Sequence, residues 1–248
     1  MSQLIVQNLE KSFEGNKKII NDISFRIDKG ESIGFLGPNG AGKTTTIRTI
    51  SNLLEIDNGD ILFNDISIKK NPSNLKSKLG VVPQDIAVFE DLSAYENVKF
   101  FCSLYGFRGK ALNEKVKSAL NAVGLLERAG DIPSKFSGGM KRRLNIACSI
   151  AHEPEILIMD EPTVGIDPQS RNNILTTVRK LNEKGTTIIY VSHYMEEVEA
   201  LCKRIILLDH GRIIKDTTLS KLLSENIPLS LEEIFLKMTG TKLRDAEE

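Results

Sequence analysis

From Gly37 to Thr44 the chain reads Gly-Pro-Asn-Gly-Ala-Gly-Lys-Thr, three glycines and a lysine spaced so that successive backbone amides can surround a polyphosphate. Glycine tolerates the angles that turn neighbouring N–H groups inward, and a helix starting at Lys43 would add the positive end of its dipole. At this spacing Lys43 reaches the β/γ-phosphates, the Thr44 hydroxyl suits Mg²⁺, and Thr45 suits the α-phosphate. Gly37, Pro38, Asn39, Gly40, Ala41, Gly42, Lys43, Thr44 and Thr45 are therefore expected to hold a nucleoside triphosphate with its metal. Apolar Ile33, Phe35 and Leu36 before the loop, and Thr46, Ile47 and Ile50 after it, supply the strand–loop–helix context the pattern needs.

A second group of chemistry-bearing residues stands at predicted strand ends. Ile156-Leu157-Ile158-Met159 is a continuous apolar run, as expected of a parallel strand buried on both faces, and it stops at Asp160-Glu161. Charges directly after so apolar a run are costly unless solvated or serving a metal. Asp160 is expected to hold Mg²⁺ through water, and Glu161 to orient or deprotonate an attacking water. Ligands of open α/β sheets collect outside the carboxyl ends of the strands, where the loop, Gln84, Asp160-Glu161 and His193 all fall. His193 could donate to a γ-phosphate, and Gln84 is a neutral donor and acceptor suited to sensing metal and water. His152, before Glu153-Pro154, and His210, in a turn, read as solvated loop residues. Ser137-Gly138-Gly139 precedes a helix and offers a second anion-binding helix start, with Ser137 also a candidate cap. That start lies on a helical insert, so a second copy facing the first would complete it. Phe13 reads equally as a hairpin hydrophobe or as a platform for a base.

The elements that must position these residues follow from periodicity. Residues 4 to 27 read as an antiparallel pair of strands around Glu14-Gly15-Asn16, with Ile23, Phe25 and Ile27 alternating. Gly59 to Lys70 reads as another strand pair and Lys78 to Pro83 as a short strand ending at Gln84. From Leu92 to His152 the pattern is helical: Ser93 and Glu96 form a capping box, and Leu112, Val116, Leu120 and Val123 line one face before Gly124. Pro168 marks a helix start, Thr186 to Val191 the next strand, Arg204 to Lys215 a hairpin around His210-Gly211, and Ser230 with Glu233 the cap of a last helix. The class is α/β: a mostly parallel sheet, an N-terminal antiparallel β-subdomain and an inserted α-helical subdomain. Core and β-subdomain are expected at about 1–85 and 153–222, the insert at about 86–152, and a helical tail at about 223–248.

Composition narrows the partners little. In 248 residues Lys plus Arg equal Asp plus Glu at 33 each, so no overall charge favours nucleic acid or an anionic membrane. Cys102, Cys148 and Cys202 are odd in number and sit in apolar contexts, which fits reduced core thiols in a reducing compartment. No apolar run approaches the roughly 20 residues of a membrane span, so any membrane role needs spans from another chain.

In order and type the motifs resemble the ATP-binding cassette family over nearly the whole chain. Gly37 to Thr44 is similar to its Walker A loop, Gln84 to its Q-loop, Ser137-Gly138-Gly139 to its signature and Ile156 to Glu161 to its Walker B strand. Gly165-Ile166-Asp167 is similar to its D-loop, His193 to its switch histidine, and Phe13 to the aromatic that stacks on adenine. The resemblance implies a P-loop NTPase core of RecA type that binds ATP with Mg²⁺ and hydrolyses it. It further implies a head-to-tail homodimer or heterodimer, each ATP lying between the Walker motifs of one subunit and the signature of the other. A separately encoded transmembrane permease would engage the helical insert and the region after Gln84, placing this chain in the cytoplasm at the inner face of the membrane. Two departures from the usual form stand out: Phe136-Ser137-Gly138-Gly139-Met140, where Leu is usual first and Gln last, and Gly165-Ile166, where Ala-Leu is common. Met-Lys-Arg-Arg after the glycines, Glu-Pro-Thr-Val-Gly-Ile-Asp-Pro, and Leu-Glu-Glu-Ile-Phe-Leu-Lys-Met-Thr-Gly resemble the bacterial ABC-2 exporter branch, which includes drug and antibiotic-resistance exporters. A soluble cassette ATPase in DNA repair or on the ribosome is the alternative, but such relatives carry long coiled coils or two cassettes, and this sequence has neither.

Overall fold

The computed structural model describes residues 2–13 and 17–240, and the chain divides into two compact units, Met1–Lys76 with Ile189–Glu248, and Ser77–Ile188. The first unit opens with β1 (Ser2–Phe13) and β2 (Lys17–Asp28), antiparallel with Val6 opposite Phe25 and Leu9 opposite Ile23. The alternating Ile23, Phe25 and Ile27 are buried, as a one-sided strand requires. Glu14, Gly15 and Asn16, the expected turn, lie outside the described residues. β3 (Ser32–Leu36) is buried along its whole length and leads into α1 (Lys43–Ile50), whose Ile47 and Ile50 are buried. β4 (Asn58–Phe63) and β5 (Ile66–Ser67) complete an antiparallel sheet in the order β2-β1-β4-β5, and α2 (Pro72–Lys76) follows.

The second unit pairs β6 (Leu79–Val82) in parallel with β7 (Ile156–Asp160) and holds the helical insert between them in sequence. The insert comprises α3 (Ala94–Leu104), α4 (Gly109–Ala122) and α5 (Gly138–Ile150). The Ser93–Glu96 capping box starts α3 as expected, and Leu112, Val116 and Leu120 form the buried stripe of α4. Gly124 stops α4 with φ +67, a left-handed angle that side chains oppose. α6 (Pro168–Glu183) carries Asp167 as its cap, and β8 (Thr187–Val191) begins in this unit.

Back in the first unit, α7 (Met195–Leu201) precedes β9 (Arg204–Asp209), which runs parallel to β3 with Phe35 opposite Ile206. A two-residue turn at His210 and Gly211, both at positive φ, reverses it into the antiparallel β10 (Arg212–Thr218). Two helices end the described residues, α8 (Leu219–Glu225) and α9 (Leu231–Thr239), the latter with the expected Ser230–Glu233 capping box. The fold is thus α/β, with an antiparallel sheet, mostly parallel pairing elsewhere and an inserted group of helices. Sequence periodicity does not register α2, α7 and α8, because five to seven residues span too few turns to establish a 3.6-residue period. Among the described residues no helix is long and apolar enough to cross a membrane, and Cys102, Cys148 and Cys202 are buried free thiols.

Candidate functional site

The phosphate loop is shaped by what lies behind it. At Gly37 a Cβ would stand 2.5 Å from the Leu208 carbonyl oxygen of β9, so the chain can leave β3 there only as glycine. Gly42 has φ +100, and a Cβ on it would meet the Ile19 carbonyl of β2 at 2.8 Å. The turn between β9 and β10 adds a second prop: Gly211 N–H donates to the Ala41 carbonyl (3.0 Å) and its own carbonyl accepts from Asn21 N–H (2.8 Å). Gly40, at φ +74, has open space where a side chain would be. The loop is closed on one side by backbone and open on the other.

Lys43 is buried and its Nζ donates to the carbonyls of Gly37 (2.6 Å) and Pro38 (3.0 Å), which folds the ammonium back over the loop. Among the described residues no side chain caps α1, whose N-cap is Gly42, and its first turn carries no acidic residue. Thr46 Oγ1 donates to the Gly42 carbonyl at 2.8 Å, while Thr44 is exposed and Thr45 half-buried. A glycine-lined concavity, an uncapped helix start and a buried ammonium fit a polyphosphate. The expected metal donors, the Thr44 hydroxyl, Gln84 amide and Asp160 carboxyl, are all oxygens of the kind Mg²⁺ takes. No three His, Cys, Asp or Glu side chains among the described residues cluster as a self-sufficient metal site.

In the second unit, register decides what meets. Val82 pairs with Met159 in parallel, so the segments that lead to Gln84 and to Glu161 leave the sheet from neighbouring strands. Asp160 is the buried last residue of β7. Glu161 adopts φ +47, a left-handed backbone that costs a side-chain-bearing residue roughly 1–2 kcal/mol. Such strain persists only where the surroundings hold it.

Arg142 stands in the sequence as one cation of a Lys-Arg-Arg run with no role of its own. It is buried on α5 and its guanidinium donates to the backbone carbonyls of Pro83 (2.8 Å) and Gln84. The helix that begins at Ser137-Gly138-Gly139 is thereby tied to the segment leaving β6, and Lys141 adds an ion pair to Glu90 (2.7 Å). Farther on, buried Asn97 accepts from Phe89 N–H and donates to the carbonyls of Phe89 and Leu92. Nothing in a Lys-Arg-Arg run tells which cation turns inward, so only a contact across about 60 residues reveals it.

Ser137 accepts from Met140 N–H (3.2 Å), acting as the cap of α5, with Ser137 and Gly138 exposed and Gly139 buried. A Cβ on Gly139 would stand 2.1 Å from Ser170 Oγ and 3.3 Å from Asp167 Oδ2, so the starts of α5 and α6 press together at this glycine. The Asp167 carboxylate accepts from Ser170 N–H at 2.9 Å, and its hydrogen bonds with Ser170 hold its pKa below the ordinary value. Gly139→Ala is expected to displace Ser170 and destabilise the protein by about 1–3 kcal/mol, as overpacking does. Adding Ser170→Gly should restore most of the lost thermal stability. A double variant melting as low as Gly139→Ala would remove this contact as the reason for the glycine.

In the first unit His193 is exposed just beyond β8, its ring 4.3 Å from that of Tyr194. Phe13 is 48% exposed with Lys11 Nζ 5.8 Å from its ring centre, so its face is at the surface. His210 is exposed, as expected, but His152 is not the solvated loop residue its neighbours suggest. It is buried and stacked on Tyr105 (3.6 Å between centroids, 5° between planes), with Nε2–H donating to the Leu79 carbonyl at 3.1 Å. Burial pushes its pKa down to about 4, which makes it a neutral packing residue where α5 ends.

The family model described as ABC transporter matches residues 20–164. The linearmycin resistance ATP-binding protein LnrL of Bacillus subtilis is 52% identical over 221 residues, 89% of this chain and 71% of that protein. A Nod factor export ATP-binding protein I of Burkholderia lata is 36% identical over 229 residues, 92% of this chain and 75% of that one. Among solved structures, a dimeric ATP-binding cassette in a post-hydrolysis state bound to ADP and Pi superposes with a TM-score of 0.78 at 25% identity, covering 87% of this chain and 98% of that one. With the phosphate loop and the carboxylate-bearing strand end built as described, and a relative more than half identical, the chain belongs to the ABC transporter family.

Proposed function

We propose that this chain is the ATP-binding and ATP-hydrolysing subunit of a bacterial exporter, working as a head-to-tail pair beside a separate membrane subunit. The observation that carries the reading is the Gly37–Thr44 loop, backed by Ile19 and Gly211 and closed by the Lys43 ammonium. In it the loop amides and Lys43 hold the β/γ-phosphates, Thr45 the α-phosphate, and Phe13 stacks on the adenine. Thr44, Asp160 and Gln84 supply metal-facing oxygens; Mg²⁺ bound with the nucleotide would neutralise charge developing on the phosphate oxygens. Glu161 takes a proton from the attacking water, and His193 donates toward the γ-phosphate to keep that water in place. Ser137, Gly138 and Gly139 serve the nucleotide of the other subunit, since an anion-binding helix start in the helical insert is completed by a facing copy. The dimeric post-hydrolysis cassette with ADP and Pi among the structural relatives supports a dimer as the working form.

Export is supported by the functions of the relatives, resistance to linearmycin and export of Nod factor. The membrane subunit is assigned to the surface after Gln84, where Phe89 and Phe100 are 44% and 42% exposed with ring centroids 5.1 Å apart. Exposed aromatics grouped in this way support an interaction surface here, and Asn97 holds the Phe89 backbone in place. In this reading the chain works in the cytoplasm at the inner membrane face. Tagged chain purified from its native membrane should bring a multi-span protein with it, and Phe100→Glu should lower that yield at least severalfold while leaving ATP binding intact. Recovery of ribosomal or DNA-bound partners instead would sink the exporter reading.

A further inference from the structure

The turn that presents His193 is held by a buried carboxyl group that the ATP-binding reading leaves unused. Glu197, on α7, is only 2% exposed. Its Oε2 accepts from Tyr190 Oη at 2.8 Å and from Ser192 Oγ at 3.1 Å, and both donors are also buried. Ser192 Oγ in turn accepts from Tyr194 N–H at 3.0 Å. A connected line of hydrogen bonds therefore runs from the end of β8, through Glu197, to the residues on either side of His193. The His193 ring meanwhile stays exposed, resting against Tyr194. α7 itself is fixed to the strand that feeds the phosphate loop: a Cβ on Gly34 of β3 would meet Val198 Cγ1 at 2.6 Å, and Ser32 Oγ donates to the Leu201 carbonyl at 2.8 Å.

We propose that Glu197 is a positioning residue for hydrolysis, setting the place of the His193 imidazole through Ser192 and Tyr194. Burying a carboxyl group is unfavourable unless its hydrogen bonds are made, and here they converge on the one turn that presents the histidine. A purely structural carboxyl could bond anywhere on the core side of α7. This one spans β8, the turn and the helix, so losing it frees the two residues flanking His193 while the phosphate loop keeps its own supports at Ile19 and Gly211. The proposal rests on the reading of His193 as the residue that holds the attacking water.

The test is steady-state ATP hydrolysis by the purified full chain with Mg-ATP. Glu197→Ala should lower kcat about tenfold to a hundredfold with KM for ATP within about twofold, because a misplacement of about 1 Å at a reacting group is enough for such a loss. Glu197→Gln keeps an acceptor oxygen at the same place and should recover most of kcat. In a His193→Ala background, Glu197→Ala should add no further loss, since its effect passes through the ring already removed. An additive loss would overturn the positioning role while leaving His193 as assigned. A His193→Ala variant with normal kcat would overturn both assignments. If Glu197→Ala does not fold, the pair Tyr190→Phe with Ser192→Ala deletes the same two hydroxyl donors, and an unchanged kcat in that variant would overturn the proposal.

Discussion

Glu161→Gln is expected to lower ATP hydrolysis by about two to four orders of magnitude, the range that general-base catalysis contributes, while nucleotide affinity stays close to that of the unaltered protein. The amide replaces the carboxylate in shape, so the left-handed backbone at φ +47 and the turn through Thr163 and Val164 are retained. What is lost is the proton acceptor. With hydrolysis slowed and binding intact, ATP persists between two copies and holds them together, so size-exclusion chromatography in Mg-ATP should show a dimer that the unaltered protein forms only transiently. A variant that stays monomeric under those conditions, or turns over at the normal rate, contradicts the assignment of Glu161. The φ value adds a control: Glu161→Gly relieves the backbone strain and removes the base, so it should be as inactive but no less stable in thermal melts.

The second large effect is expected at Lys43. Lys43→Ala removes a charged hydrogen-bond donor to phosphate, worth about 1.5–3 kcal/mol, so ATP affinity measured by calorimetry should fall roughly tenfold to a hundredfold. It also leaves the carbonyls of Gly37 and Pro38 without the donor that spans them, so the nucleotide-free protein should melt slightly earlier. These readouts separate the two roles of the side chain: a melt that shifts with affinity unchanged would mean that Lys43 braces the loop without contacting phosphate.

Much of this was legible in the residue order because the determinants are local. Glycine at Gly40 and Gly42 is needed for backbone angles that the loop alone demands, the capping boxes at Ser93 and Ser230 each close within three residues, and β7 announces itself as an unbroken apolar run. The same locality explains the errors. His152 reads as a loop residue by its neighbours Glu153 and Pro154, yet stacks on Tyr105, a partner 47 positions away that no local pattern names. α7 is too short to show a period, so Glu197 remains hidden among the exposed acids around it.

The sequence by itself determined the chemistry available: a triphosphate loop with its lysine, a strand ending in two carboxylates, a second helix start for an anion, and the family whose motif order they follow. Only the tertiary structure decided which groups are held, and by what. It shows that Gly37 is required by the Leu208 carbonyl and Gly139 by Ser170. It turns Arg142 inward to grip the carbonyls after β6 and shows Glu197 buried beneath the His193 turn. The physical reason is common to all four: steric closeness and the burial of a charged or polar group arise between segments far apart in the chain, and the residue alphabet encodes what a side chain can do but not what will be pressed against it.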